Sequence, residues 1–217
     1  MFDLTDFLKD TLGNTISIFT IMNPLSVGVI MLTLLDEDVT KKEVKATATK
    51  SMKAVFVAML VLFLGGSYIF QFFGISPHGL RVFGGLILLI MGINMVQGHG
   101  KRVNHSQKEH SAAMDREDIS VVPLAIPIMV GPGLATTLIN LSINSGGWQD
   151  YASGLIAIVI CAVASVLILQ RMPFIKQKLG TNGLKVFNRL MGLIVGSLAA
   201  QMILKGIMGL YELFTAV

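Results

Sequence analysis

The stretch 121–134, V-V-P-L-A-I-P-I-M-V-G-P-G-L, lies inside an apolar segment long enough to cross a bilayer, yet carries Pro123, Pro127, Gly131, Pro132 and Gly133. A transmembrane helix accommodates one proline when a neighbour re-satisfies the freed carbonyl. Gly131-Pro132-Gly133 goes further, because Pro132 has no N–H and the flanking glycines free the backbone to unwind. Facing lipid, such a break would leave backbone polar groups unsatisfied. It must therefore face protein or a water-filled cavity. Broken helices in that setting build substrate sites in membrane transporters.

The break has a counterpart. Asn23-Pro24 sits inside the first apolar segment, and Pro24 precedes Pro132 by 108 residues. The same offset carries Arg81 to Arg189, Gly84 to Gly192 and Gly98 to Gly206. One such match in a glycine-rich chain means little; four at one offset, two of them in proline and arginine, indicate an internal repeat.

The composition fits a membrane protein. Of 217 residues, 53% are hydrophobic and 14% charged, with a mean hydropathy of +0.71. A soluble domain carries about a quarter charged residues. Six spans are expected, at about 15–35, 54–73, 82–97, 121–141, 152–170 and 190–208. In this reading both breaks lie near the middle of their spans. The N-terminal M-F-D-L-T-D-F-L-K-D has no basic n-region, so no cleaved signal peptide is expected. Cys161 is the one cysteine, which excludes an intrachain disulfide.

The net charge of +4 does not call for nucleic acid, because the basic residues cluster in loops. The loops after spans 1, 3 and 5 hold 13 of the 17 Lys and Arg, among them Lys41, Lys42, Lys45, Lys101, Lys176 and Lys178. The positive-inside rule places these loops in the cytoplasm and both termini outside. Trp148, Tyr151, Tyr68 and Tyr211 fall near the outer ends of their spans, as an aromatic belt requires. Three spans per repeat make the second repeat enter from the opposite face. The expected fold is an all-α membrane protein of six transmembrane helices in a 3+3 inverted-topology repeat, with spans 1 and 4 broken at mid-membrane. It forms a single membrane domain, 1–217, with repeat one at about 1–98, repeat two at about 119–206, and a polar cytoplasmic loop, 99–118, between them.

The candidate substrate-binding residues are Asn23, Pro24, Ser26, Gly131, Pro132, Gly133 and Thr136, with Thr137 beside them. Unwound backbone offers N–H and C=O groups, and half-helix ends offer dipoles, for a carboxylate or a cation. The bland reading of each break is a packing kink. Arg81 and Arg189 open spans 3 and 6; they are either snorkelling anchors or gates on opposite faces. Asn94 and Gln201, amides within spans, are expected to bond across helices. Gly192-x-x-x-Gly196-x-x-x-Ala200 reads as a close-packing stripe, within the chain or in a homo-oligomer. No Asp, Glu or His lies within a span, which argues against a buried carboxylate relay. His99, His105 and His110 match no metal motif. No catalytic residue, metal site or cofactor is expected, and an enzyme has no support.

These residues resemble the MarC family of six-span inner-membrane proteins, which includes the small neutral amino acid transporters. The resemblance covers nearly the whole chain. It is carried by N-P-L in span 1, F-G-I-S followed by L-R-V-F-G-G at 80–85, V-P-L-A-I-P-I-M-V-G-P-G at 122–133 and R-L-M-G at 189–192. Family binding residues carry over only to Asn23-Pro24 and Gly131-Pro132-Gly133. The resemblance implies a multi-pass inner-membrane secondary transporter of a glycine- or alanine-like substrate. The rival readings are an exporter of drugs or other metabolites and a non-transporting scaffold. The partners are then a small-molecule substrate and membrane lipid; a coupling proton or sodium ion is left open.

Overall fold

The computed structural model of the chain describes residues 4–35, 39–72, 74, 76–98 and 129–215. Among the described residues the regular structure is helical: α1 (Leu4–Met22), α2 (Pro24–Leu34), α3 (Lys41–Phe72), α4 (Pro77–Val96), α5 (Pro132–Asn144), α6 (Trp148–Gln170) and α7 (Met172–Thr215). Five stretches are long and apolar enough to cross a membrane: Leu4–Leu32, Lys41–Gly66, Pro77–Val96, Trp148–Gln170 and Met172–Thr215. The fourth expected span, 121–141, is described only from Met129 onward. Pro123, Pro127 and the loop 99–118 lie outside the described residues.

The helices outrun the expected spans, and local chemistry explains where they begin. Residues 4–14 continue α1 outward, with Lys9 and Asp6 paired at 3.4 Å one turn apart. α3 starts in the basic segment because Thr40 and Glu43 cap it reciprocally. The Glu43 N–H donates to Thr40 Oγ1 at 3.3 Å, and the Thr40 N–H donates to Glu43 Oε2 at 2.7 Å. Ser76 caps α4 through the His78 N–H at 3.2 Å, with Pro77 at its first position. The segment 171–188, expected to be a loop, is helical apart from a turn at Gly180, whose φ of 63° suits glycine.

The contacts fix the relative direction of every helix. α1 and α2 together run parallel to α6: Asn14 of α1 meets Ser153, and Gly28 of α2 meets Leu169 near the end of α6. α3 runs antiparallel to α6: Gly154 packs on Phe63, and Gln170 donates to Thr49 at 3.0 Å. α5 runs antiparallel to α4, as Arg81 meets Asn140, Gly84 meets Thr136 and Leu88 meets Gly133. One end of the bundle thus gathers the start of α1, residues 74–76, residues 145–147 and the end of α7. Residues 39–40, 98 and 171 gather at the other. Tyr68, Trp148 and Tyr211 are exposed at the first end; Lys41, Lys42 and Lys45 are exposed at the second.

α4 and α7 form the closest pair. His78 faces Gly209, Val82 faces Gly206, Gly85 faces Ile203, Gly92 faces Gly196 and Gly192, and Gly98 faces Arg189. As α4 advances, α7 retreats, so the two are antiparallel. A Cβ on Gly92 would stand 2.8 Å from the Gly196 nitrogen and 2.9 Å from the Gly192 carbonyl oxygen, leaving no room for a side chain. The small-residue stripe of span 6 is therefore spent within the chain. Its third member is Ala199, which is buried, rather than the exposed Ala200. Away from these contacts Val57, Val61, Phe83, Ile90, Val163, Leu167 and Leu204 stand exposed, an apolar exterior suited to lipid.

Candidate functional site

α1 and α2 are separated by a single residue. Asn23 has φ 46° and ψ 65°, and is the one non-glycine with positive φ among the described residues. Asparagine tolerates this left-handed conformation better than other side-chain-bearing residues. The sequence enforces it locally. Pro24 has no N–H to return to the Thr20 carbonyl, and the Ser26 N–H turns instead to Asn23 Oδ1 at 3.4 Å, capping α2. Backbone bonding resumes with the Val27 N–H on the Asn23 carbonyl at 3.2 Å. Thr20, Ile21, Met22, Asn23 and Pro24 are all buried, Asn23 to 5% exposure. A non-glycine held at positive φ in a buried helix junction is the kind of strain that marks functional sites.

The rest of the polar network comes from α7. Asn23 Nδ2 donates to Asn188 Oδ1 at 2.9 Å, and Ser26 Oγ donates to the same oxygen at 2.7 Å. Asn23, Pro24 and Ser26 are thus brought together, with Asn188 as their shared partner. The sequence pattern alone puts Asn188 at the end of the basic loop before span 6.

The second motif opens α5. Gly131 is extended (φ −86°, ψ 175°) and Pro132 is the first helical residue. Gly133 is buried, and a Cβ there would stand 2.7 Å from Leu88 Cδ2 and 3.7 Å from Ile21 Cγ2. The two proline motifs therefore adjoin, with Ile21 and Leu88 beside Gly133, near the middle of α4. Pro132 itself is exposed. Thr136 and Thr137 do not present their hydroxyls to this junction. Thr136 Oγ1 donates to the Pro132 carbonyl at 2.8 Å and Thr137 Oγ1 to the Gly133 carbonyl at 2.9 Å, while the Thr136 methyl packs on Gly84.

The arginines lie at opposite ends of the α4–α7 pair. Arg81 Nε donates to Asn140 Oδ1 at 3.2 Å, and its Nη2 donates to Asn144 Oδ1. Asn144 Nδ2 in turn donates to the Asn140 carbonyl at 2.6 Å. These partners are neutral amides. Arg189 is exposed, its guanidinium over Gly98 at the C-terminal end of α4, where a cation meets the negative end of the helix. Asn140, an amide in an apolar span, carried the same sequence signal as Asn94 and Gln201. Only Asn140 is buried in the bundle; Asn94 and Gln201 are exposed.

A family model described as MarC family integral membrane protein matches residues 8–211. The UPF0056 membrane protein YvbG of Bacillus subtilis is 35% identical over 204 residues, covering 93% of this chain and 95% of that protein. The UPF0056 membrane protein MJ1677 of Methanocaldococcus jannaschii is 33% identical over 193 residues, covering 89% and 93%. The UPF0056 membrane protein YhcE of Escherichia coli is 27% identical over 210 residues, covering 97% and 95%. No solved structure matches the chain.

Proposed function

Because the chain belongs to the MarC family of integral membrane proteins, we propose that this multi-pass protein is a secondary transporter of the inner membrane, moving a small neutral amino acid by alternating access. The observation that carries this reading is the buried left-handed break at Asn23-Pro24, lying against the Gly131-Pro132-Gly133 motif through Ile21. A helix C-terminus and a helix N-terminus meet at the first break. Free carbonyls suit an ammonium and free N–H groups suit a carboxylate, so a zwitterion needs no buried charged side chain. Apolar neighbours and a glycine packed on Leu88 favour a small side chain on the substrate.

The inverted repeat belongs to the same proposal. The antiparallel register of α4 and α7 is nearly its own image when each residue is exchanged for its counterpart 108 positions away. Gly98 against Arg189 then corresponds to Gly206 against Arg81, and Gly206 meets Val82, one residue on. α2 packs on α7 as α5 packs on α4. In this reading Arg81 and Arg189 are gates on opposite faces, and both termini lie on the outer side of the membrane. The test is uptake of labelled glycine and alanine into proteoliposomes, with and without proton and sodium gradients, beside a panel of drug-like solutes. Uptake of glycine or alanine driven by one gradient supports the reading and identifies the coupling ion. Flux confined to the drug panel assigns an exporter, and no flux of any solute removes transport.

A further inference from the structure

Asn188 is tied to the first break by an oxygen, and hydrogen-bond logic fixes which way its amide faces. The Ser26 backbone N–H can only donate, so the Asn23 atom it meets is Oδ1. Asn23 then presents Nδ2 to Asn188, and Asn188 must answer with Oδ1. Ser26 Oγ bonds the same oxygen at 2.7 Å. This saturates Asn188 Oδ1 and turns Asn188 Nδ2, with two N–H donors, away from the pair. Neither donor has a partner among the described residues, and Asn188 is half-buried at the junction of α2 and α7.

We infer that Asn188 is a substrate-binding residue whose Nδ2 donates to the carboxylate of the transported amino acid, while its Oδ1 holds the break in shape. The inference rests on the transport reading above and adds to it a side-chain ligand from α7. A neutral amide is well matched to this task. It supplies directed donors for a carboxylate without bringing a charge that would have to be buried in the empty carrier. It also links substrate occupancy to α7, the helix that carries Arg189 one residue further on.

Asn188→Asp separates the two roles. Aspartate still accepts from Asn23 Nδ2 and Ser26 Oγ, so the tether survives, but the donors are lost and a like charge faces the substrate carboxylate. Asn188→Thr gives a second, uncharged variant, whose hydroxyl can accept from Asn23 while the amide N–H groups are gone. The measurements are glycine uptake in proteoliposomes, competition by glycinamide, and thermal stability in detergent. The expected result is a rise of about tenfold or more in the KM for glycine in both variants; Asn188→Thr should melt near wild type, and Asn188→Asp lower, because its carboxylate is half-buried. Glycinamide has no carboxylate, so its apparent inhibition constant should change little, and the preference for glycine over glycinamide should shrink by about the same factor. An unchanged glycine KM in a folded variant overturns the inference. An equal loss for glycine and glycinamide also overturns it, leaving Asn188 as a tether alone. No glycine or alanine uptake by the wild type overturns the transport reading itself, and this inference with it.

Discussion

Gly192 lies so close to Gly92 that a Cβ on Gly192 would stand 2.9 Å from the Gly92 carbonyl oxygen. Backbone atoms, and at Gly192 also the Met95 Cβ, crowd these positions, so neither can yield to a methyl group as the far end of a flexible side chain would. Gly92→Ala and Gly192→Ala should each destabilise the protein by about 1–3 kcal/mol. Gly13 offers the contrast: it is helical and exposed, with nothing within 4 Å of its would-be Cβ. Gly13→Ala should gain about 0.5–1 kcal/mol from helix propensity. Thermal unfolding in detergent reads all three, and a stable Gly92→Ala protein would refute the α4–α7 register.

Asn23 separates conformation from hydrogen bonding. Asn23→Gly keeps the left-handed φ but loses the cap on Ser26 and the bond to Asn188. Asn23→Ala loses these and adds backbone strain of about 1–2 kcal/mol. The alanine variant should therefore melt below the glycine variant. Equal melting temperatures would mean that Asn23 is not left-handed in the membrane.

Pro24→Ala restores a donor and removes the ring that prevents α1 from running into α2. Protein levels should hold, while glycine uptake falls by about tenfold or more as the junction closes into regular helix. Gly131→Ala should behave alike, since its φ of −86° accepts a side chain. Gly133→Ala is a poorer probe than helix propensity alone suggests, because its methyl must displace Leu88 and stability should fall with function. Wild-type uptake in Pro24→Ala and Gly131→Ala would reduce both motifs to packing kinks.

Arg81 is held by Asn140 and Asn144, so removing the cation and removing its holders should act alike. Arg81→Ala and Asn144→Leu are each expected to slow glycine flux with expression largely intact. Arg189→Ala should slow it from the opposite face. Wild-type flux in the two arginine variants would return both residues to interfacial anchors.

Reporter fusions near residues 45, 110 and 178 should report the cytoplasm, and fusions near 77, 148 and the C-terminus the outside. The observation behind this is the gathering of Lys41, Lys42 and Lys45 at the end of the bundle opposite Trp148 and Tyr211. A cytoplasmic C-terminus would reverse the whole orientation.

What could be read from the chain alone was whatever depends on composition along it. The apolar runs forecast five of the six expected spans, and Pro24 and Pro132, expected as breaks, stand at the first positions of α2 and α5, because a missing N–H acts on its own neighbours. The span boundary at 15 falls short of the helix start at Leu4, and 171–188, a loop by its charges, is largely helical, since polar, exposed turns can continue a helix outside the apolar layer. Asn188 was missed for a different reason. Its bond to Asn23 spans 165 residues and arises only when α7 folds back on the break. The Arg81 amides could have been suspected from Asn140, an amide in an apolar span. Asn94 and Gln201 show why that signal alone is not enough: equal chemistry, but on faces turned outward.

The glycine contacts between α4 and α7 limit how such a molecule can move. Helices that touch through their backbones cannot slide by a fraction of a turn, because Met95, Val82 and Ile203 occupy the grooves on either side of the contact. Nor can they part without giving up close backbone packing at Gly92 and Gly192 that lipid tails cannot reproduce in so narrow a groove. In the transport reading proposed above, this pair is the stator. In that reading the moving parts are those that meet the pair through side chains: the α1–α2 elbow, tied to α7 by Asn188, and α5, joined to α4 by Arg81, Thr136 and Leu88. Freezing the stator with a cross-link should leave turnover intact, whereas freezing either moving part should stop it.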